Sequence, residues 1–179
     1  YHTAKRSLPS ERAKTLVVEL GALLHDSADA KLHDGDESLG PKMARDFLKE
    51  QNAPDEVIDH VIKIIEHMSF KNSLGQNPSA FTSKEMQIVQ DADRLDAIGA
   101  IGIARAFNYG GFKNRVLYDP NTPPNLNMTK EEYKTSNSPT INHFYEKLLL
   151  LKDGMHTKTG KKIASARHQF MLEYLERFY

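Results

Sequence analysis

The sequence contains neither cysteine nor tryptophan among its 179 residues. Without cysteine, the chain has no disulfide framework, no thiolate zinc site and no thiol nucleophile. Lysine and arginine number 24 and aspartate and glutamate number 24, so the formal net charge is zero, which argues against an extended nucleic-acid surface. The longest nearly apolar run, residues 16–24, is interrupted by Glu19 and is too short to span a bilayer. These absences predict a cytoplasmic protein with no membrane partner and no extended nucleic-acid surface.

Apolar residues recur with the period of an α-helix over most of the chain. The pattern predicts helices over residues 11–25, 42–50, 54–68, 83–107, 140–152 and 159–178. Residues 110–139 are rich in proline and asparagine and predict a long loop, of the kind that often forms a lid or a binding loop. Because no strand pattern is present, we expect an all-α fold: one domain over residues 1–179, built as a bundle of six or seven helices.

A histidine and an aspartate, His25 and Asp26, directly follow the apolar residues of the first predicted helix. Asp34 and Asp36 come shortly after them. One interpretation is an ordinary helix C-terminus, where the helix dipole favours a cationic histidine and the carboxylates are solvated. Carboxylates are unfavourable at that end of a helix, however, unless a cation balances them. A divalent ion would do so, taking nitrogen from His25 and oxygen from Asp26.

A second group of carboxylates, Asp91, Asp93 and Asp96, lies inside the predicted long helix. Asp91 and Asp93 are about 200° apart on a helical wheel and cannot share one face. Asp93 falls on an apolar face, so we expect its carboxylate to be buried with either a metal ion or a cation such as Arg94 or Arg105. Asp91 falls on the face of Arg94, and we expect it to bind that arginine or to hold a metal-ligating histidine in place.

Together these residues resemble the signature of the HD-domain metal-dependent phosphohydrolases. In that family a His-Asp pair, here His25-Asp26, is followed far downstream by an aspartate, here in Ala92-Asp93-Arg94-Leu95. Longer blocks agree with the resemblance, at residues 19–26, 90–102, 142–148 and 157–178. They are similar to a bacterial and fungal subgroup that includes nucleoside-triphosphate pyrophosphohydrolases. The resemblance covers nearly the whole chain and implies an HD-type helical bundle.

The resemblance implies that His25, Asp26 and Asp93 are ligands of one divalent metal ion. Manganese is the expected metal, and Mg²⁺, Co²⁺, Ni²⁺ and Fe²⁺ are alternatives, since mixed nitrogen and oxygen ligands accept each of them. The family also uses a histidine farther upstream. His2 lies too close to the His-Asp pair to occupy that position. We expect the upstream histidine to precede Tyr1.

The resemblance also implies roles for residues around the metal. Asp29 lies three positions after Asp26, where relatives place an acidic residue that orients or activates the attacking water, although a plain loop carboxylate is an equal alternative. Asp91 is the second predicted catalytic residue. Cationic side chains are the candidates for binding substrate phosphates, although most lysines on amphipathic helices are only solvated. They are Lys31, Arg94, Lys147, Lys152 and Arg167.

The implied activity is hydrolysis of a (deoxy)nucleoside triphosphate to a monophosphate and pyrophosphate. Two alternatives remain open on the same site. One is a phosphomonoesterase or phosphodiesterase, and the other is a degenerate HD domain that binds nucleotides as a regulator. The expected partner is thus a nucleotide, and a homo-oligomer is possible.

Overall fold

The protein is described from a computed structural model, which covers residues 4, 14–27, 36, 38–68, 81–129, 132 and 135–179. Within these ranges the chain forms helices and no β-strand, so the all-α prediction is confirmed. The helices are α1 (Thr15–Leu24), α2 (Leu39–Glu50), α3 (Asp55–His67), α4 (Lys84–Asp96), α5 (Gly99–Phe112), α6 (Asn142–Glu146) and α7 (Lys158–Phe178), with a 3₁₀ helix at Leu148–Lys152. No helix of the described ranges combines the length and hydropathy needed to cross a bilayer.

The chain divides into two compact units, Tyr1–Ala92 and Asp93–Tyr179, which we call the N-terminal and C-terminal units. That residues 1–179 form one domain stays a prediction. In the N-terminal unit, α3 packs against both α1 and α2. Burying one of its isoleucines completely stabilises the fold by about 1.5–3 kcal/mol. The largest fully buried side chains of this unit are Val17, Val18, Leu48, Ile58, Val61, Ile64 and Ile88.

In the C-terminal unit, α7 packs against α5 and against the 3₁₀ helix. Phe144 is fully buried and stacks on Tyr174, with the ring centroids 6.1 Å apart. Phe107 lies 5.9 Å from Phe144 by the same measure, so aromatic rings join α5, α6 and α7.

The prediction of a single helix over residues 140–152 is wrong. The backbone bends at Lys147 (φ −145°, ψ −57°), and the chain continues as the 3₁₀ helix.

The single long helix predicted over residues 83–107 is also wrong, because the chain forms α4 and α5 with a break between them. Its start is confirmed, since the Ser83 hydroxyl accepts a hydrogen bond from the N–H of Met86 at 3.0 Å, as an N-cap does. At the break, Ile98 is extended (φ −127°, ψ 166°). Gly99 follows with φ 76°, a conformation that residues with a side chain rarely adopt. Apolar residues keep their helical spacing across this break, so periodicity alone does not reveal it.

The loop predicted over residues 110–139 begins later, after α5 ends at Phe112. The described part of this loop is tied to the start of α6. The N–H of Thr140 donates to the carbonyl of Val116 at 2.9 Å. The buried side chain of Asn142 donates from Nδ2 to the carbonyl of Thr122 at 2.9 Å. These bonds hold the described loop residues in place.

Two glycines of α5 allow a matched test of how closely the start of this helix approaches the preceding turn. A Cβ added to Gly102 would overlap the carbonyl oxygen of Ala97, which is backbone and cannot turn aside. We therefore expect Gly102→Ala to lower the free energy of unfolding by more than about 1 kcal/mol. Gly111, in the same helix, has nothing within 4 Å of an added Cβ. Gly111→Ala should leave stability unchanged or raise it by up to about 1 kcal/mol. Urea denaturation of both variants measures the difference, and equal losses would contradict this account.

Candidate functional site

The His-Asp pair lies at the C-terminal end of α1. His25 directly follows the helix, and its backbone N–H donates to the carbonyl of Gly21 at 3.0 Å. Its ring Nδ1 is 3.1 Å from the carbonyl oxygen of Ala22 and must be the donor, because a carbonyl only accepts. This hydrogen bond puts the lone pair of the ring on Nε2, as in most metal-ligating histidines. The next residue, Asp26, is exposed.

Helix α4 lies against α1 along one stripe of residues. Near its start, the carboxylate of Glu85 accepts a hydrogen bond from the N–H of Lys14 at 2.8 Å. One turn later, Val89 Cγ2 lies 3.4 Å from where a Cβ on Gly21 would be. Asp93 is the next residue of this α4 stripe, since residues four apart share a helix face. His25 likewise comes four residues after Gly21.

Asp91 and Asp93 differ from the sequence prediction in their burial. Asp91 is 1% exposed, whereas Asp93 is exposed, so the prediction that Asp93 is buried is wrong. It assumed a continuous helix in which Ala97 and Ala100 extend the apolar face of Asp93. In the structure Ala97 lies beyond the end of α4, and Ala100 is exposed on α5. The carboxylate that needs compensation for burial is therefore that of Asp91, and the accessible one is that of Asp93.

The two arginines predicted to bind substrate make hydrogen bonds to backbone carbonyls in the C-terminal unit. Arg94 is 8% exposed, donates from Nη1 to the carbonyl of Gly154, and places the same atom 3.0 Å from Nε2 of His156. Arg167 donates from Nη1 to the carbonyl of Leu95. These contacts give both arginines a structural role. Their contact with substrate stays a prediction.

Two of the predicted lysines, Lys147 and Lys152, belong to the C-terminal unit. Lys147 is partly buried at the bend that follows α6. Lys152 ends the 3₁₀ helix, and its Nζ lies 3.8 Å from the carboxylate of Asp153. Two further predicted site residues, Asp29 and Lys31, lie outside the described residues. Their roles in water activation and phosphate binding stay predictions.

A groove along α7 contains polar residues that sequence reasoning missed, apart from Lys152. The residues that line this α7 groove are Lys152, Lys162, Ser165, Ala166, His168, Gln169 and Leu172. Most of the α7 members recur at spacings of three and four residues, which places them on one helix face. That spacing was a signal available in the sequence. Burial, and next the positive charge of Lys152, lower the pKa of His168 below its ordinary value.

The donor types at His25, Asp26 and Asp93 fit a divalent cation, because they offer one imidazole nitrogen and carboxylate oxygens. In the part of the chain that the structure describes, no group of three or more histidine, aspartate or glutamate side chains is arranged to hold a metal ion. The upstream histidine that the resemblance implies is not among the described residues either. That His25, Asp26 and Asp93 bind one metal ion therefore stays a prediction, which the chemistry of their donor atoms allows.

Comparison with known families agrees with the fold and with the His-Asp pair. The sequence profile of the HD domain matches residues 2–98, more than half of the chain. The chain belongs to the HD domain family. HD domains generally depend on divalent metal ions.

Relatives of known structure extend the likeness over the whole chain. YpgQ of Bacillus subtilis is 39% identical over 93% of this chain and 73% of its own length. Its crystal structure in complex with ADP has a TM-score of 0.76 and 36% identity, covering 99% of this chain and 82% of that one. A crystal structure from Lactobacillus plantarum has a TM-score of 0.83 and 40% identity, covering 99% of this chain and 80% of that one. An HD-superfamily hydrolase from Bacillus thuringiensis has a TM-score of 0.73 and 40% identity, covering 99% and 79%.

Glu85 provides a test of how α4 is held against α1. Burial alone would raise the pKa of the Glu85 carboxyl. Hydrogen bonds from the N–H groups of Lys14 and of Glu85 itself, with the charge of His60, lower that pKa below the ordinary 4.5. The ionised carboxylate therefore stabilises the fold above about pH 4.5, and this contribution is lost as the pH falls through the lower folded-state pKa. We expect Glu85→Gln to lower the melting temperature at neutral pH and to flatten its decline in acid.

The control is Glu50→Gln, which changes an exposed carboxylate at the end of α2. It should leave both the melting temperature and its pH dependence close to those of the unchanged protein. Thermal unfolding followed by circular dichroism between about pH 7 and pH 3 measures both variants. If the two variants flatten the acid decline equally, Glu85 does not hold the helices in the way described.

Proposed function

We propose that this chain is a metal-dependent phosphohydrolase that converts (deoxy)nucleoside triphosphates to monophosphates and pyrophosphate. The observation that carries the proposal is the hydrogen bond from His25 Nδ1 to the carbonyl of Ala22, which directs the ring lone pair to Nε2 beside Asp26 in a chain of the HD domain family. The ADP complex of YpgQ supports a nucleotide as the substrate.

In this proposal, His25 Nε2 and the carboxylates of Asp26 and Asp93 hold one divalent ion, with Mn²⁺ as the expected metal. When bound, such an ion acidifies water and draws electron density from a phosphoryl oxygen. Asp26 and Asp93 are both exposed. Their exposure supports the assignment, because a metal ion and a substrate must be able to reach these carboxylates.

The other residues of the chain act on the water and on the phosphates. The oxygen of water forms a bond to the α-phosphorus, the bond between that phosphorus and the bridging oxygen breaks, and pyrophosphate leaves with the electron pair. Asp29 is proposed to orient the water and accept its proton. Asp91 is proposed as a positioning residue, since its buried carboxylate lies on the helix that carries Asp93.

The leaving pyrophosphate needs positive charge nearby. The proposal gives this role first to Lys31, Lys147 and Lys152, because Arg94 and Arg167 already bind backbone carbonyls. An arginine that also contacts phosphate would have to keep or exchange those bonds. Lysine acts as a point charge and needs no fixed fork geometry.

Substitution of the two neighbouring aspartates tests the assignment. Asp93→Ala is expected to remove the bound metal and to lower kcat/KM by at least about 100-fold, because a ligand oxygen is lost. Asp91→Asn is expected to keep the metal and to lower kcat/KM by about 10-fold to 100-fold. Asp46→Asn, at an exposed position on α2, is the control and should behave as the unchanged protein. Mass spectrometry of metal content and phosphorus NMR of the products measure these effects.

The products decide between the alternatives. Pyrophosphate supports the proposal, whereas orthophosphate or a ring-opened monophosphate would make the protein a phosphomonoesterase or a phosphodiesterase on the same site. Nucleotide binding without recoverable metal or turnover would make it a regulatory domain. If Asp91→Asn loses the metal and Asp93→Ala keeps it, the ligand is Asp91.

A further inference from the structure

We propose that the α7 groove binds a phosphate-bearing anion. Two lysines line it from different elements, Lys152 from the 3₁₀ helix and Lys162 from α7. Ser165 and Gln169 add a hydroxyl and an amide on the same helix face. Gln169 Nε2 donates to the carboxylate of Glu173 at 3.5 Å, and its second N–H and the Ser165 hydroxyl can donate to phosphate oxygens. Bonds from ammonium groups to phosphate are charge-assisted and stronger than neutral ones. The groove thus combines charge with directed donors.

The carboxylate nearest to Lys152 does not cancel this charge. Lys152 Nζ is 3.8 Å from Asp153 Oδ1, but the side chain of Asp153 is 79% exposed. Ion pairs this exposed contribute little to stability, because water screens them and the long side chains lose freedom. Lys152 can therefore leave Asp153 for a phosphate at small cost.

His168 reports on the electrostatics of the groove. Burial first, and Lys152 second, lower the pKa of its ring, while Asp153 and a hydrogen bond with the backbone of Leu149 act in the opposite direction. An anion beside Lys152 would favour the imidazolium form. It would therefore raise the pKa of His168, and the anion would bind more tightly as the pH falls through that raised pKa.

The remaining walls of the groove are apolar. Leu172 is 40% exposed, and Ala166 is exposed beside the polar residues. Because two lysines and two neutral donors stand beside these residues, the groove suits pyrophosphate either as a free ion or as the polyphosphate of a nucleotide. Binding of a nucleotide polyphosphate rests on the proposed function. Binding of the free ion does not, because it requires neither a metal nor turnover.

The experiment follows the imidazole resonances of the full chain by NMR while inorganic pyrophosphate is added in the presence of a chelator. Loss of one resonance in His168→Gln assigns the signal of His168. We expect a saturable shift and a higher pKa for this ring. Lys152→Ala/Lys162→Ala should weaken binding by at least about tenfold, and the single variant Lys162→Gln should weaken it less. Lys161→Ala is the control, since Lys161 is exposed on α7 outside the groove.

Two further titrations separate the sources of the anion. Competition between ADP and pyrophosphate for the same shift would support a nucleotide polyphosphate, and no effect of ADP would support the free ion. Adenosine, which has no phosphate, should cause no shift. The proposal is overturned if millimolar pyrophosphate causes no saturable shift of His168, or if Lys162→Gln and the double variant bind as tightly as the unchanged protein. A failed hydrolysis assay would leave this result standing, because no metal is present.

Discussion

The approach of α1 to α3 and α4 at Gly21 is the constraint on which the packing of the N-terminal unit depends. A Cβ at Gly21 would already lie 3.4 Å from Val89 Cγ2 and 3.6 Å from Ile64 Cγ2, so any longer side chain would push the helices apart. Val17 and Val18, which precede Gly21 on α1 by four and three residues, are fully buried. Because an apolar contact excludes water and packs densely, it determines how α1 and α4 lie along each other. His25 comes four residues after Gly21 and directly follows the end of α1.

Helix α4 is fixed by polar contacts as well, and these explain why the helix can end where it does. The last carbonyls of a helix have no partner within the helix. At the end of α4, the carbonyl of Leu95 accepts from Arg167, and the carbonyl of Asp96 accepts from Arg105 at 3.2 Å. Cations are favoured at that end by the helix dipole. The break before Gly99 therefore leaves these two groups satisfied, and the chain can turn there without losing their hydrogen bonds.

The helical class, the start of α4 and the position of His25-Asp26 at the end of α1 can be predicted from the sequence, because each depends on a local pattern. It does not reveal the end of α4, since the apolar period continues through Ile98 and beyond. The wrong prediction that Asp93 is buried follows from that missed end, because the helical wheel included residues that lie beyond α4. The glycines at positions 99 and 102 were the available signal of a break. Glycine is needed at these positions because a Cβ on Gly99 would meet the side chain of Arg167 and a Cβ on Gly102 would meet the backbone of Ala97. A helical wheel includes neither contact.

A chain with no net charge can still recognise phosphates, since recognition depends on local charge and not on the sum over the molecule. Arg94, Arg105 and Arg167 all donate to backbone carbonyls, so their positive charge is used largely to hold the fold. Their planar, multi-donor groups suit that fixed role. Lys152, which is half-buried, and Lys162, which is exposed, line a shared groove. The three arginines thus serve the fold, and the two lysines are the proposed phosphate ligands, because an ammonium on a flexible stem binds phosphate as a point charge and needs no fixed fork geometry.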